Sequence, residues 1–268
     1  MIGNKNIVSK ILLYILAFIC LFPIIILIIS AFSGNWQWPY FIPRQFSLRG
    51  IKYVLSSNNS LKVLIYSVIL SMTVTLITIT ISIPAGRALG IYHFKGKNIV
   101  KLIVLAPIII PPVSVGVGIH VEFLKIGIAN SFLGVVIIHL IPCIPYAVRI
   151  ISDVFEILGE QLEQQARVLG ATKIQTFFYV TLPTIMPAVT SSAFLVFIVS
   201  FSQYFLTFLI GGGKVVTYSI LMFPFIEGGD ENIAASFSLI FIITSLIVLF
   251  VIEKILRSYY EMEDYFYI

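Results

Sequence analysis

The chain has 268 residues, 59% of them hydrophobic and 11% charged, with a net charge of +5 and a mean hydropathy of +1.05. Soluble domains carry about 25% charged residues, so these values exclude an ordinary water-soluble fold and place the protein in a lipid bilayer. The basic surplus suits loops that flank a membrane and calls for no nucleic-acid partner.

Apolar stretches of about 20 residues cross the hydrocarbon core as helices. Six are legible, which makes the expected fold an all-α, polytopic membrane protein, one transmembrane domain over residues 1–268. The first, residues 11–32, follows Lys5 and Lys10. Its apolar run is about twice the roughly 7–15 residues of a signal-peptide core, so it reads as a retained helix. Residues 33–60 then hold Trp36, Trp38, Pro39, Tyr40 and Pro43, suited to a membrane interface or to contact with an external protein. Asn58, Asn59 and Ser60 offer a polar cap to the second span, residues 63–86.

A short basic turn, residues 87–101, leads to the third span, residues 102–121. Pro107, Pro111 and Pro112 remove backbone donors there and bend the helix. Two readings stand: a kinked packing helix, or a helix beside a water-lined path. The fourth span, residues 126–148, carries His139 and ends near Pro142, Pro145 and Tyr146. The fifth starts after Pro183 and runs to about Ile210, and the last covers residues 233–252. Barrel-type alternation is absent.

Basic residues orient the spans. With the N-terminus inside, eleven Lys and Arg fall on the cytoplasmic side and six outside, so both termini are expected in the cytoplasm. Cys20 and Cys143 sit within apolar runs with no spaced partner for a metal. Gly211-Gly212-Gly213-Lys214 lacks the spacing of a phosphate loop. In the fifth span Ser202, Gln203, Tyr204 and Thr207 form a polar cluster. They serve either helix–helix hydrogen bonding or pore lining.

One long charged interlude, residues 160–183, separates two apolar segments. Gly159 suits the opening of a helix, with Glu160 in its electropositive first turn. Leu158, Leu162, Ala166 and Leu169 recur at spacings of four, four and three, one face of a short helix. Glu160, Glu163, Gln164 and Arg167 take the other face. Gly170 stops the helix, Thr172 with Gln175 makes a capping box for a second one, and Pro183 suits the first turn of the next span. The result is a helix–turn–helix too polar to cross the bilayer. It lies on the membrane face with Ala166, Gly170 and Ala171 at a tip that a partner can approach closely. An amphipathic surface helix is the plainer alternative.

At these residues the chain resembles the permease subunits of type I ATP-binding-cassette importers, the binding-protein-dependent inner-membrane components. Their signature is Glu-Ala-Ala, three residues, Gly, nine residues, an aliphatic, one residue, Leu-Pro. Gln164, Gln165, Ala166, Gly170, Val180, Leu182 and Pro183 fall on those positions, with Gln164 in place of Glu and Gln165 in place of Ala. Glu163 lies one position earlier, a rotation of about 100°. The likeness covers residues 61–256, with residues 153–183 as the coupling loop. Residues 200–213 and 228–236 are similar to permeases for polyamines, ferric iron, thiamine and phosphonates.

The resemblance implies a cytoplasmic coupling helix between the fourth and fifth spans of a bacterial cell-membrane protein. Glu163, Gln164, Gln165, Ala166, Leu169, Gly170, Ala171, Leu182 and Pro183 would meet two separate ATPase subunits. It further implies a second permease, more often a related chain than an identical one, and an external solute-binding protein. ATP and magnesium would be bound by the ATPases, leaving this chain without cofactor, metal or catalysis. The solute would be a small polar or charged compound. A rival class is the ion-coupled transporter, which needs ionisable groups in mid-membrane; His139 and, at the outer edge, His120 are its candidates. A non-transporting scaffold is the other rival, and it leaves the coupling-loop spacing unexplained.

Overall fold

The computed structural model describes residues 3–34, 36, 40 and 42–260; Trp38 and Pro39 lie outside the described residues. The elements are α1 (Gly3–Ala31), α2 (Arg49–Ser56), α3 (Asn58–Ile91), α4 (Lys97–Ile109), α5 (Pro112–Lys125), α6 (Phe132–Leu158), α7 (Gln161–Val168) and α8 (Lys173–Thr176). A π turn (Phe177–Thr181) follows, then α9 (Leu182–Phe201), α10 (Phe205–Gly211), α11 (Tyr218–Glu227) and α12 (Glu231–Tyr260). Among the described residues outside the helices, an antiparallel bridge joins Ser33 to Phe46.

Among the described residues five helical stretches are long and apolar enough to cross a membrane: Leu12–Ala31, Asn58–Ile91, Phe132–Leu158, Lys173–Phe201 and Glu231–Arg257. The expected third span is not one helix, because α4 and α5 meet at 99°. Ile110 and Pro111 take extended ψ values of 130° and 125°. A residue before proline is driven out of the helical region, and consecutive prolines impose this twice. Counted as one bent span, the pair raises the total to six.

The fifth span also departs from expectation. Pro183 does not start it; the helix runs unbroken from Lys173 to Phe201. A proline inside a helix lacks a donor and crowds the carbonyl four residues back, and the wide π turn just before Pro183 takes up that misfit. The helix then stops at Phe201 and restarts at Phe205, leaving residues 202–204 between. Gly159 closes α6, its N–H donating to Phe155 O at 3.0 Å, rather than opening α7. On α3 the cap lies one residue before the expected triplet: Ser57 Oγ accepts from Ser60 N at 3.2 Å.

The described residues divide into two compact units, those within 1–62 and 221–244, and those within 63–220 and 245–268. In the first, Asn232 is the hub. Its Nδ2 donates to the carbonyls of Ser30, Ala31 and Ser33 at 3.2, 3.0 and 2.6 Å, groups at the end of α1 that lack helical partners. Its Oδ1 accepts from Gly50 N at 2.8 Å. A Cβ on Gly50 would meet Asn232 O at 2.5 Å, so only glycine lets α2 come this close. Arg49 Nη2 grips both oxygens of Asp230 at 2.6 and 2.8 Å.

In the second unit α9, α4 and α10 pack on α6. Leu70, Val74, Val135, Ile138, Cys143, Ala147, Val196 and Ile210 are fully enclosed in the core. Against α6, α3 is close enough that a Cβ on Gly86 would lie 2.7 Å from Ile151 Cγ2, and one on Gly90 2.6 Å from Phe155 Cβ. Small residues four apart let membrane helices meet backbone to backbone.

Candidate functional site

The polar interlude folds as two short helices around Gly170. Thr172 Oγ1 accepts from Gln175 N at 3.3 Å and Gln175 Oε1 accepts from Thr172 N at 2.9 Å, which is the capping box expected from the sequence. Gly170 has φ of +93°, a left-handed turn that glycine enters at little cost.

Within α7 the structure departs from the sequence expectation at Leu162 and Glu163, while Gln164 and Arg167 are exposed as expected. Glu163 is its one buried residue, while Leu162 is exposed, as are Val168 at 86% and Leu169 at 88%. The reason is a set of partners distant in sequence. Arg87 Nη2 of α3 donates to Glu163 Oε2 at 2.5 Å, and Thr181 Oγ1, at the end of the π turn, donates to Oε1 at 2.7 Å. Arg167 Nη2 adds a contact at 3.3 Å. A carboxylate leaves water only when paired and hydrogen-bonded in this way. Periodicity within eight residues carried no sign of Arg87. The signal was Arg87 itself, set in Gly86-x-x-x-Gly90 at the end of an apolar span.

With Glu163 turned inward, α7 presents Gln164 and Gln165 to solvent, Ala166 half-buried, then Val168, Leu169 and Gly170 exposed at the turn. Ala171 is half-buried beside them; Leu182 is half-buried and Pro183 buried, so these two pack within the body of the unit. Exposed aliphatic side chains at a turn between polar helices form a small apolar knob outside the spanning segments. Such a knob is suited to a groove on another protein.

The polar residues of the fifth span separate. Ser202 is exposed and Gln203 and Tyr204 are half-buried at the interruption, whereas Thr207 is fully buried on α10. Thr207 Oγ1 lies 2.8 Å from His139 Nε2, and Ser200 Oγ lies 3.0 Å from Nδ1. His139 therefore bonds two hydroxyls and is fully buried. Among the described residues no group of three His, Cys, Asp or Glu side chains could hold a metal ion.

Residues 82–259 match the family of binding-protein-dependent transport system inner membrane components. The chain is 32% identical over 163 residues to a molybdate/tungstate transport system permease protein of Pyrococcus furiosus, across 61% of this chain and 65% of that one. For the Pyrococcus abyssi counterpart the figures are 35% over 127 residues, 47% and 51%. The chain thus spans about half to two thirds of the length of these relatives. A trehalose/maltose transport system permease protein of Thermococcus litoralis is 28% identical over 244 residues, 84% of this chain and 85% of that one. In fold, the chain is similar to a chain of a bacterial ABC transporter involved in import of the acidic polysaccharide alginate, with a TM-score of 0.68 at 18% identity over 94% of this chain and 96% of that chain. The matched residues include the buried Glu163, the apolar knob and the interrupted span, and this multi-pass membrane chain belongs to the family of binding-protein-dependent transport system inner membrane components.

Proposed function

We propose that this chain is the membrane-spanning permease subunit of an ATP-driven importer, with residues 159–183 as its coupling segment. The observation that carries the proposal is the apolar knob of Val168 and Leu169 beside Gly170, held on a rigid base between two continuous spanning helices. Glu163 fixes that base, and Gln164, Gln165, Ala166 and Ala171 frame the knob. Leu182 and Pro183 belong to the span that receives the motion.

Two ATPase subunits seat the coupling segments of this chain and of a second, related permease. They bind the ATP and magnesium; this chain has no cofactor and does no covalent chemistry. Closure of the ATPases draws the coupling segments together and turns the pore outward, where a binding protein delivers solute. ATP and the loaded binding protein each bind one state better than the other, which alternating access requires. Six spans, with α4 and α5 as one bent span, would bring both termini to one side of the membrane, and the Lys and Arg distribution supports the cytoplasmic side. The solute is a small polar or charged compound. Ser202, Gln203 and Tyr204 face the translocation path at the interruption, and Thr207 supports them from beneath.

Co-purification from membranes tests the proposal. Wild-type chain should bring down ATPase subunits, and Gly170→Glu should lose them. A Cβ on Gly170 meets nothing within 4 Å, and the left-handed backbone costs a non-glycine residue roughly 1–2 kcal/mol, so the variant has room to fold. ATPase recovered equally with both chains would refute the coupling role.

A further inference from the structure

We infer that His139 is a positioning residue. Its ring pins the two sides of the interruption at residues 202–204, so that this segment moves as one piece with the coupling segment. The inference rests on the permease reading above. It starts from hydrogen-bond chemistry. Thr207 Oγ1 gives its single hydrogen to Gln203 O at 2.8 Å, so in its contact with His139 the ring Nε2 is the donor. Nδ1 is then the acceptor, and the Ser200 hydroxyl donates to it. One neutral ring therefore satisfies a hydroxyl on α9, before the interruption, and a hydroxyl on α10, after it.

Burial makes the pin strong. His139 and Thr207 are fully enclosed and Ser200 is 3% exposed. No solvent replaces a lost bond there, and each orphaned group costs its full desolvation. The Gln203 carbonyl is held a second time, by Ser219 Oγ at 3.3 Å. The backbone between α9 and α10 is thus tied down although it is not helical.

Topology gives the pin its consequence. From His139, α6 runs on unbroken to Leu158, at the entrance of the coupling segment. Ser200 lies near the end of a helix that starts at Lys173, at its exit. Displacement of α7 and α8 therefore reaches residues 202–204 along two continuous helices closed by one imidazole. Ser202, Gln203 and Tyr204 are what that lever carries.

The test uses the chain in its ATPase complex, in lipid, with Cys20 replaced by serine. Nitroxide labels go at exposed positions, Ile157 at the foot of α6 and Lys214 beyond α10. Pulsed electron spin resonance should give the same narrow distance in nucleotide-free complex and in complex trapped with ATP, magnesium and vanadate. With His139→Leu or Thr207→Val a second, shifted distance should appear on trapping, and Thr207→Ser should restore the single one. A variant that only folds less well broadens both states alike, and that result overturns the inference. So does a wild-type distance that moves on trapping. ATPase subunits that fail to co-purify with wild-type chain would instead refute the permease reading, and this inference with it.

Discussion

Two arginine–carboxylate contacts in this chain look alike by distance and differ in surroundings. Arg87–Glu163 closes at 2.5 Å and Arg49–Asp230 at 2.6 Å, and both join segments far apart in sequence. The Glu163 side chain is 7% exposed and that of Arg87 23%, against 35% for Asp230 and 59% for Arg49. Solvent, not separation, sets what each contributes. Exposed pairs are worth about 0–1 kcal/mol, whereas removing one member of a buried pair strands a charge out of water. One contact fixes the base of α7; the other trims a surface already held by Asn232.

The comparison breaks if the two contacts respond alike. Glu163→Ala should have the largest effect, lowering stability by about 3 kcal/mol, the lower end of the range for a broken buried pair because Arg87 keeps some solvent. Thermal unfolding of the detergent-solubilised chain measures it, and a midpoint within error of wild type would place Glu163 on the surface. Thr181→Val comes next, at about 1–2 kcal/mol, since it removes one hydrogen bond to a charged, buried acceptor. Asp230→Asn should change stability by under about 1 kcal/mol. Salt sharpens the contrast, because raising ionic strength from 0.1 to 1 M shortens the screening length from about 10 to about 3 Å. That change should erase the Asp230→Asn difference and leave most of the Glu163→Ala difference.

Several features of the segment were legible because their causes are local. The capping box of Thr172 and Gln175 needs only residues three apart, and Gly170 needs only its own missing side chain. The inward face of α7 was not legible, because its cause is Arg87 in another helix. Sequence reading placed Glu163 outward with Gln164, following apolar spacing that the folded chain leaves exposed. Proximity along the chain groups Thr207 with Gln203, whose carbonyl its hydroxyl does reach, but gives no sign of its second partner, His139 on α6. The bend between α4 and α5 was signalled by Pro111-Pro112, but its size was not, since Pro142 and Pro145 sit inside an unbroken α6. Adjacent prolines force successive residues out of the helical region, while separated ones each need only a local adjustment.

The π turn at Phe177–Thr181 keeps the handle in phase with the span. A π turn is a helix with one residue more than regular winding requires, and each residue of a regular helix advances the chain by about 100°. The wider turn absorbs that extra residue, so deleting Phe178 would restore regular winding and leave the side chains on the N-terminal side of the turn close to their present directions relative to α9, whereas the same deletion in the regular part of α9 would swing them by that angle. Thr181, which stays with α9, would still address the Glu163 side of α7. A residue can thus be lost at this one place without re-aiming the knob of Val168 and Leu169, as slack in a cable is taken up at a single loop.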